Sequence, residues 1–385
     1  MQIVRQVLSG TFIAASLVLA SVASITPAQA WKLKVLYNFT GGADGWGPNG
    51  GMVRDPTSGE LYGTTLFGGA HGKGTVFKIA SDRRETVLHS FTKELFNPNG
   101  GLVRDTAGSM YGTAFSGHDF AGAVFKVTRE GDFSVLHRFP HWGQSEDGAG
   151  PQARLLLDDA TGDIYGTTSY GGASNCGTVF DLPAKKKYKV LYSFAGGTDG
   201  CHPAAGLIQD KAGNLYGTTS AEGACDYCGV VFKLSPDGTE TVLHRFNSRA
   251  GKLPYGGVVA DGLGNLHGAT SQGGANKDGV AFKITADGGF TVLHDFAGGQ
   301  DGSYPFGDLL LRTSGSIYGT TQYGGAGYGV LYRLEQSGFK ALYSFPEGLD
   351  FPQGSLIEDE YGNLFGAAHG FEPKGTYGAV FELMR

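Results

Sequence analysis

Charge is scarce in this sequence, and neither sign dominates. Only 17% of the 385 residues are charged, with 30 Lys and Arg against 36 Asp and Glu and a net charge of −6. A protein that grips a phosphate backbone needs clustered Lys and Arg, so this balance argues against a nucleic-acid partner. Long apolar runs are missing too. After the first thirty residues no stretch of about eighteen apolar residues occurs, and the chain reads as having no later membrane span. No useful length of it carries a 3.6-residue apolar period, so amphipathic helices are not expected. There is no H-x-H or H-E-x-x-H spacing for a metal and no G-x-S-x-G nucleophile motif. Cysteine is down to four residues.

Glycine, by contrast, is abundant at 66 residues, alongside 12% aromatic and 41% hydrophobic residues. That mixture is too apolar for disorder and suits a turn-rich all-β protein. The N-terminus stands apart. Arg5 is followed by a mostly apolar run, Thr11 to Val22, that closes on Ala28-Gln29-Ala30. This is the pattern of a cleaved secretory signal, so residues 1–30 are expected to be a signal peptide and residues 31–385 the exported product.

Internal repetition organises everything after that. A motif L-Y-G-T-T recurs at Tyr62, Tyr111, Tyr165, Tyr216, His267, Tyr318 and Phe365, at spacings of 47 to 54 residues. Each copy is followed by G-x-V-F-K, as at Gly74 to Lys78, then by V-L-H/Y-x-F, as at Val87 to Phe91, then by P-x-G-G-L-V-x-D, as at Pro98 to Asp105. Each is a short β-rich run bounded by Gly, Pro, Asp or Asn. Four such strands in a unit of about fifty residues, seven times over, predict a seven-bladed β-propeller. From the axis outwards, P-x-G-G-L-V-x-D is strand A, L-Y-G-T-T is B, G-x-V-F-K is C and V-L-H-x-F is D. The product opens with a lone D strand, Val35 to Phe39, and ends with A, B and C of the last blade. The N-terminal strand is therefore expected to complete blade seven and close the ring, removing an exposed sheet edge. The D-x-x-G stretches, such as Asp105 to Gly108, are turns between A and B.

Repeats of this form, G-L-V-x-D-x-x-G-N-L-Y-G-T-T followed by G-T-V-F-K, resemble the GloVer tandem repeat of the choice-of-anchor proteins. The resemblance covers residues 33 to 383 and implies a bacterial surface, periplasmic or secreted protein. It implies no activity. Anchored members carry an apolar C-terminal tail, whereas this sequence stops at Arg385 just after the last strand, so a soluble, monomeric product is expected.

Propeller geometry puts the long, variable B–C and D–A loops on one face, where binding is expected. Three sets of residues there are candidates. At the mouth of the axis, after the repeated prolines, stand Asn49, Asn99, Gln152, Ala204, Tyr255, Phe306 and Gln353. Two positions further on, where most copies have a small residue, stand Arg154 and Asp308. Amides with a charge could hold a polar or anionic ligand, or simply satisfy neighbouring backbone. The second set is aromatic: Phe67, Tyr170 and Tyr323 share one repeat position, with Trp46, Trp142, Tyr227 and Tyr328 in other loops. They could stack on sugar rings or pack loop against loop. The third set is histidine. His89, His137, His244 and His294 share a D-strand position and read as structural. His71, His118, His141, His202 and His369 are scattered over loops and make a weak metal signal. Asp44, Asp147, Asp199 and Asp301 recur as Asp-Gly and read as turn formers, with calcium as the alternative. In an exported chain the even cysteine count points to disulfides, with Cys225 to Cys228 and Cys176 to Cys201 the favoured pairs and a four-cysteine zinc site the alternative. No cofactor is expected. The preferred reading is a binding or scaffold propeller for polysaccharide or an envelope protein. A carbohydrate-active hydrolase or lyase and a purely structural envelope protein are the alternatives.

Overall fold

The computed structural model describes residues 31–142, 145–335, 338–370 and 374–385. The expected signal segment, residues 1–30, lies outside the described residues. The chain from Trp31 onward folds as seven antiparallel sheets, each with the strand order D-C-B-A. In blade 1 strands A to D are Val53–Arg54, Leu61–Phe67, Thr75–Ile79 and Glu85–Ser90, and Trp46–Pro48 adds a short fifth strand beside Leu61–Phe67, as Ser303–Pro305 does beside Ile317–Tyr323 in blade 6. This is a seven-bladed β-propeller. Strand A is shorter than its motif, because only the Val-Arg part pairs with strand B. The preceding Asn-Gly-Gly stretch instead faces the next blade. A Cβ on Gly307 would lie 2.6 Å from the carbonyl oxygen of Gln353, a contact that only glycine permits.

Blade 7 contains Ile357–Glu358, Leu364–Ala368 and Ala379–Met384, and its outer strand is Lys32–Asn38 from the start of the chain. Lys32 stands opposite Met384 and Asn38 opposite Ala379. The ring is thus closed by hydrogen bonds between the two ends of the sequence.

Packing repeats with the blades. The core consists of seven clusters of buried residues, one at each junction between neighbouring blades. At each junction the Phe that ends strand D meets the C-strand aromatic of the following blade. Phe39 lies edge-on to Phe77 with centroids 5.0 Å apart, and Phe246 to Phe282 at the same distance. Such pairs add about 0.5–1.5 kcal/mol each beyond their buried area. The mid-strand glycine of L-Y-G-T-T makes room for this ring within its own blade: a Cβ on Gly63 would be 2.6 Å from the tip of Phe77. The turn aspartates serve the same motif. Asp210 accepts backbone N–H bonds from Ala212 and Asn214 and takes the Tyr216 hydroxyl at 2.9 Å.

A second seam runs along the outer strands. The D-strand histidine of one blade stacks on the first aromatic of the next D strand: His89 on Phe133, His137 on Tyr188, His244 on Phe290 and His294 on Phe339, with centroids 3.7–3.8 Å apart. Where the position is Tyr37 or Tyr192, the neighbour is instead Glu85 or Glu240. Burial is the main cause that pushes both glutamates up from 4.5 to about 7, with Asp44 and Asp199 adding repulsion. Burial pushes His89 and His244 down from 6.5 to about 4.

Two predictions follow from closure and seam. Deleting residues 31–39 leaves the Ala379–Met384 edge bare and should lower Tm by at least about 10 °C; an unchanged Tm would contradict closure. For the seam, the folded glutamates hold protons that the unfolded ones release above pH 4.5, so their contribution falls as pH rises towards 7. The folded histidines hold fewer protons than unfolded ones between about pH 4 and 6.5, so theirs rises. The pairs oppose each other where the windows overlap. The Glu85→Gln, Glu240→Gln double variant should therefore gain Tm more steeply than the parent between pH 4.5 and 6.5, and parallel curves would show that the carboxylates titrate normally.

Candidate functional site

The two threonines of L-Y-G-T-T set up the loop-bearing face. The second caps the hairpin to strand C: Thr168 Oγ1 accepts the Thr178 backbone N–H at 3.1 Å and donates to the Tyr170 carbonyl at 2.9 Å. The first reaches across to the next blade. Thr113 donates to the Ala153 carbonyl at 3.1 Å, Thr218 to Gly256 at 3.2 Å and Thr320 to Pro352 at 2.9 Å. These acceptors flank the mouth residues, so blades 2, 4 and 6 help position the mouth residue of their successors, whereas Thr64 of blade 1 makes no such bond and blades 5 and 7 carry Ala269 and Ala367 there.

Around the axis those residues enclose a chamber of about 160 Å³ lined by Asn49, Asn99, Gln152, Ala204, Tyr255, Phe306 and Gln353. Its two sides differ. On one, the amides form a chain. Asn49 Nδ2 donates to Asn99 Oδ1, Asn99 Nδ2 to Gln152 Oε1 at 3.3 Å, and Gln152 Nε2 to Ser169 Oγ at 2.7 Å. The Ser169 hydroxyl in turn donates to the Pro203 carbonyl at 3.0 Å. The chain starts at Asn49 Oδ1, a buried acceptor that receives no donor. On the other side Tyr255 and Phe306 stack on each other with centroids 4.9 Å apart. Burial, and then the nearby Tyr170, push the Tyr255 hydroxyl up, which keeps it a hydrogen-bond donor. All six of these amide and aromatic side chains are half-buried.

Arg154 and Asp308 stand at the inner end of this chamber and also line a larger one, of about 550 Å³, that continues along the axis among the A strands. Asp308 ties three blades together: Oδ1 accepts the Gly257 backbone N–H at 2.7 Å and Oδ2 the Ser355 hydroxyl at 3.0 Å. Arg154 is exposed to the channel and has neither an ion pair nor a hydrogen bond among the described residues.

A family model described as the Gloeobacter/Verrucomicrobia repeat matches residues 16–228 and again residues 208–385. The chain belongs to the Gloeobacter/Verrucomicrobia repeat family. No curated protein matches it. Among solved structures it is similar to virginiamycin B lyase from Staphylococcus aureus, with a TM-score of 0.59 and 14% identity over 92% of this chain and 99% of that one. It is also similar to the extracellular domain of a protein described as a one component system from B. thetaiotaomicron, with a TM-score of 0.57, 9% identity and 91% of this chain covered; the match spans 40% of that protein. At these identities the likeness concerns the fold alone.

In this Gloeobacter/Verrucomicrobia repeat protein the aromatic loop residues do not converge on the mouth chamber. Phe67 stacks on Trp46 at 4.3 Å, and Trp46 in turn meets His369 and Tyr377 of blade 7. Tyr170 packs with Trp142, Phe115 and His202. Tyr323 lies between Tyr304 and Phe351. These are contacts between adjacent loops, although Tyr323 remains 42% exposed and Trp142 45%. Tyr227, on the Cys225–Cys228 loop, is exposed, and Tyr328 faces Lys374.

Cys176 is bonded to Cys201 and Cys225 to Cys228. The one group of potential metal ligands among the described residues, Cys176, Cys201 and Glu222, therefore contains a disulfide rather than free thiolates. The first bond joins the B–C loop of blade 3 to the D–A loop that leads to Ala204. His71, His118 and His141 are exposed and apart, while His202 bonds the Ser169 carbonyl at 2.7 Å. The Asp-Gly aspartates hold their own loops. Asp44 takes the Tyr37 hydroxyl and the Thr40 N–H, Asp199 the Tyr192 hydroxyl and the Ala195 N–H, and Asp301 His294 and the Ala297 N–H. Asp147 lies 3.8 Å from His137.

If Phe67 and Tyr170 are loop packing, Phe67→Ala and Tyr170→Ala should each cost about 2 kcal/mol of stability, read by denaturant unfolding. Unchanged stability would return these rings to the list of ligand contacts.

Proposed function

We propose that the protein is an exported binding propeller that holds a saccharide at its axial mouth. The observation that carries this reading is the two-sided chamber, with Asn49, Asn99 and Gln152 facing a Tyr255–Phe306 stack. A sugar ring has a belt of hydroxyls that both give and accept hydrogen bonds and an apolar C–H face. Primary amides answer the first, each with two N–H donors and two acceptor lone pairs; aromatic rings answer the second. The amide chain uses one donor and one acceptor of Asn99 and leaves the others for a ligand.

The Arg5 to Ala30 leader pattern, the two disulfides and the lack of any helix among the described residues long and apolar enough to cross a membrane support export to the periplasm or medium. Binding is favoured over hydrolysis by the acids on hand. Glycoside hydrolysis ordinarily needs two carboxylates. Among the described residues lining the mouth chamber the one acid is Asp308, and both its oxygens are engaged by neighbouring blades. The protein on this reading works as a monomer, without a cofactor.

The test is a glycan array with the mature protein, residues 31–385. Saturable binding is expected, weakened about tenfold or more by Asn99→Ala and by Tyr255→Ala with little change in Tm. Silence across polysaccharides of broad composition would overturn saccharide recognition and leave a protein partner or a structural role.

A further inference from the structure

The arginines along the axis are unequal. Three of them line the inner chamber. Arg54 is paired with Glu360 at 3.0 Å and Arg104 with Asp55 at 2.7 Å. Arg154 is paired with nothing among the described residues. It occupies a ring position where four other blades have glycine, at Gly51, Gly101, Gly206 and Gly257. The acid in the same ring, Asp308, makes no ion pair with it, and both Asp308 oxygens are taken up by neighbouring blades. Arg154 thus presents an open guanidinium at the narrow passage between the two chambers, two residues deeper than Gln152 of the amide arc. A planar guanidinium with parallel N–H donors matches a carboxylate in bidentate fashion, with stronger, shorter bonds than a neutral partner gives.

We propose that the saccharide held at the mouth ends in a uronic acid whose carboxylate is received by Arg154. This rests on the saccharide reading above and narrows it to acidic chains bound by their ends. A polymer laid across the face would present its hydroxyls to the amides and leave Arg154 untouched. Only a unit pointing down the axis carries a carboxylate past the amide arc while its ring stays between the amides and the Tyr255–Phe306 stack.

The experiment compares oligomers of galacturonate, glucuronate and mannuronate with their carboxyl-reduced counterparts, using the mature parent and Arg154→Gln. The parent is expected to bind the acid form of one series at least tenfold more tightly than its reduced counterpart, with a preference that shrinks as salt is raised. Arg154→Gln should abolish the preference, bringing the affinity for the acid chain down to that for the reduced one. Equal affinity for acid and reduced chains in every series, or a preference that survives Arg154→Gln, overturns the uronate proposal while the mouth reading stands. Failure of the parent to bind either form of any series, together with silence on the neutral glycan array, overturns both. Circular dichroism and Tm of Arg154→Gln should match the parent, since no contact of Arg154 holds the blades.

Discussion

The antiparallel ladder between Lys32–Asn38 and Ala379–Met384 is the interaction on which the rest depends. It joins residues from opposite ends of the chain, so all seven units must be in place before it can form. Once made, it covers the strand edge that Ala379–Met384 would otherwise expose and turns an open row of blades into a ring. The junction between blades 7 and 1 then resembles the other six, with Phe39 meeting Phe77 as Phe246 meets Phe282. Without that junction there is no axis, and without the axis Asn49 and Gln353 have no common chamber to line.

The repeated residues are largely consumed in building the ring. The L-Y-G-T-T tyrosine is held by the turn aspartate, its glycine lies under a phenylalanine, its first threonine grips the next blade and its second caps a hairpin. The V-L-H-x-F histidine stacks across the outer seam. What is left to vary lies where copies disagree. The mouth position is Asn, Asn, Gln, Ala, Tyr, Phe and Gln around the ring, and the position behind it is glycine in four blades but Arg154 and Asp308 in two others.

Architecture was legible because a propeller writes itself into its sequence seven times, and the blade count and closure follow from the order of four motifs. The short reach of strand A was not, since pairing ends where the backbone turns to meet its neighbour at Gly307. The mouth residues could be named from their place after the prolines. Their division into an amide chain and an aromatic stack could not, because it depends on contacts between residues about fifty positions apart. For the same reason Asp308 read as a companion of Arg154, whereas it binds blades 5 and 7. Phe67, Tyr170 and Tyr323 share a repeat position, but the partners of each ring could not be read from it, because that position recurs in different blades, each with its own loop partners.

The amide chain has a direction. Asn49 and Asn99 each donate to the following blade, Gln152 donates to Ser169 within its own blade, and Ser169 donates on to Pro203 of blade 4, so the chain runs head to tail along one arc. Seven equal blades would offer a guest seven interchangeable orientations. This arc, opposed by a single aromatic stack, removes that rotational degeneracy. It gives the opening one azimuth, so a guest seated there has one rotational setting rather than seven equivalent ones.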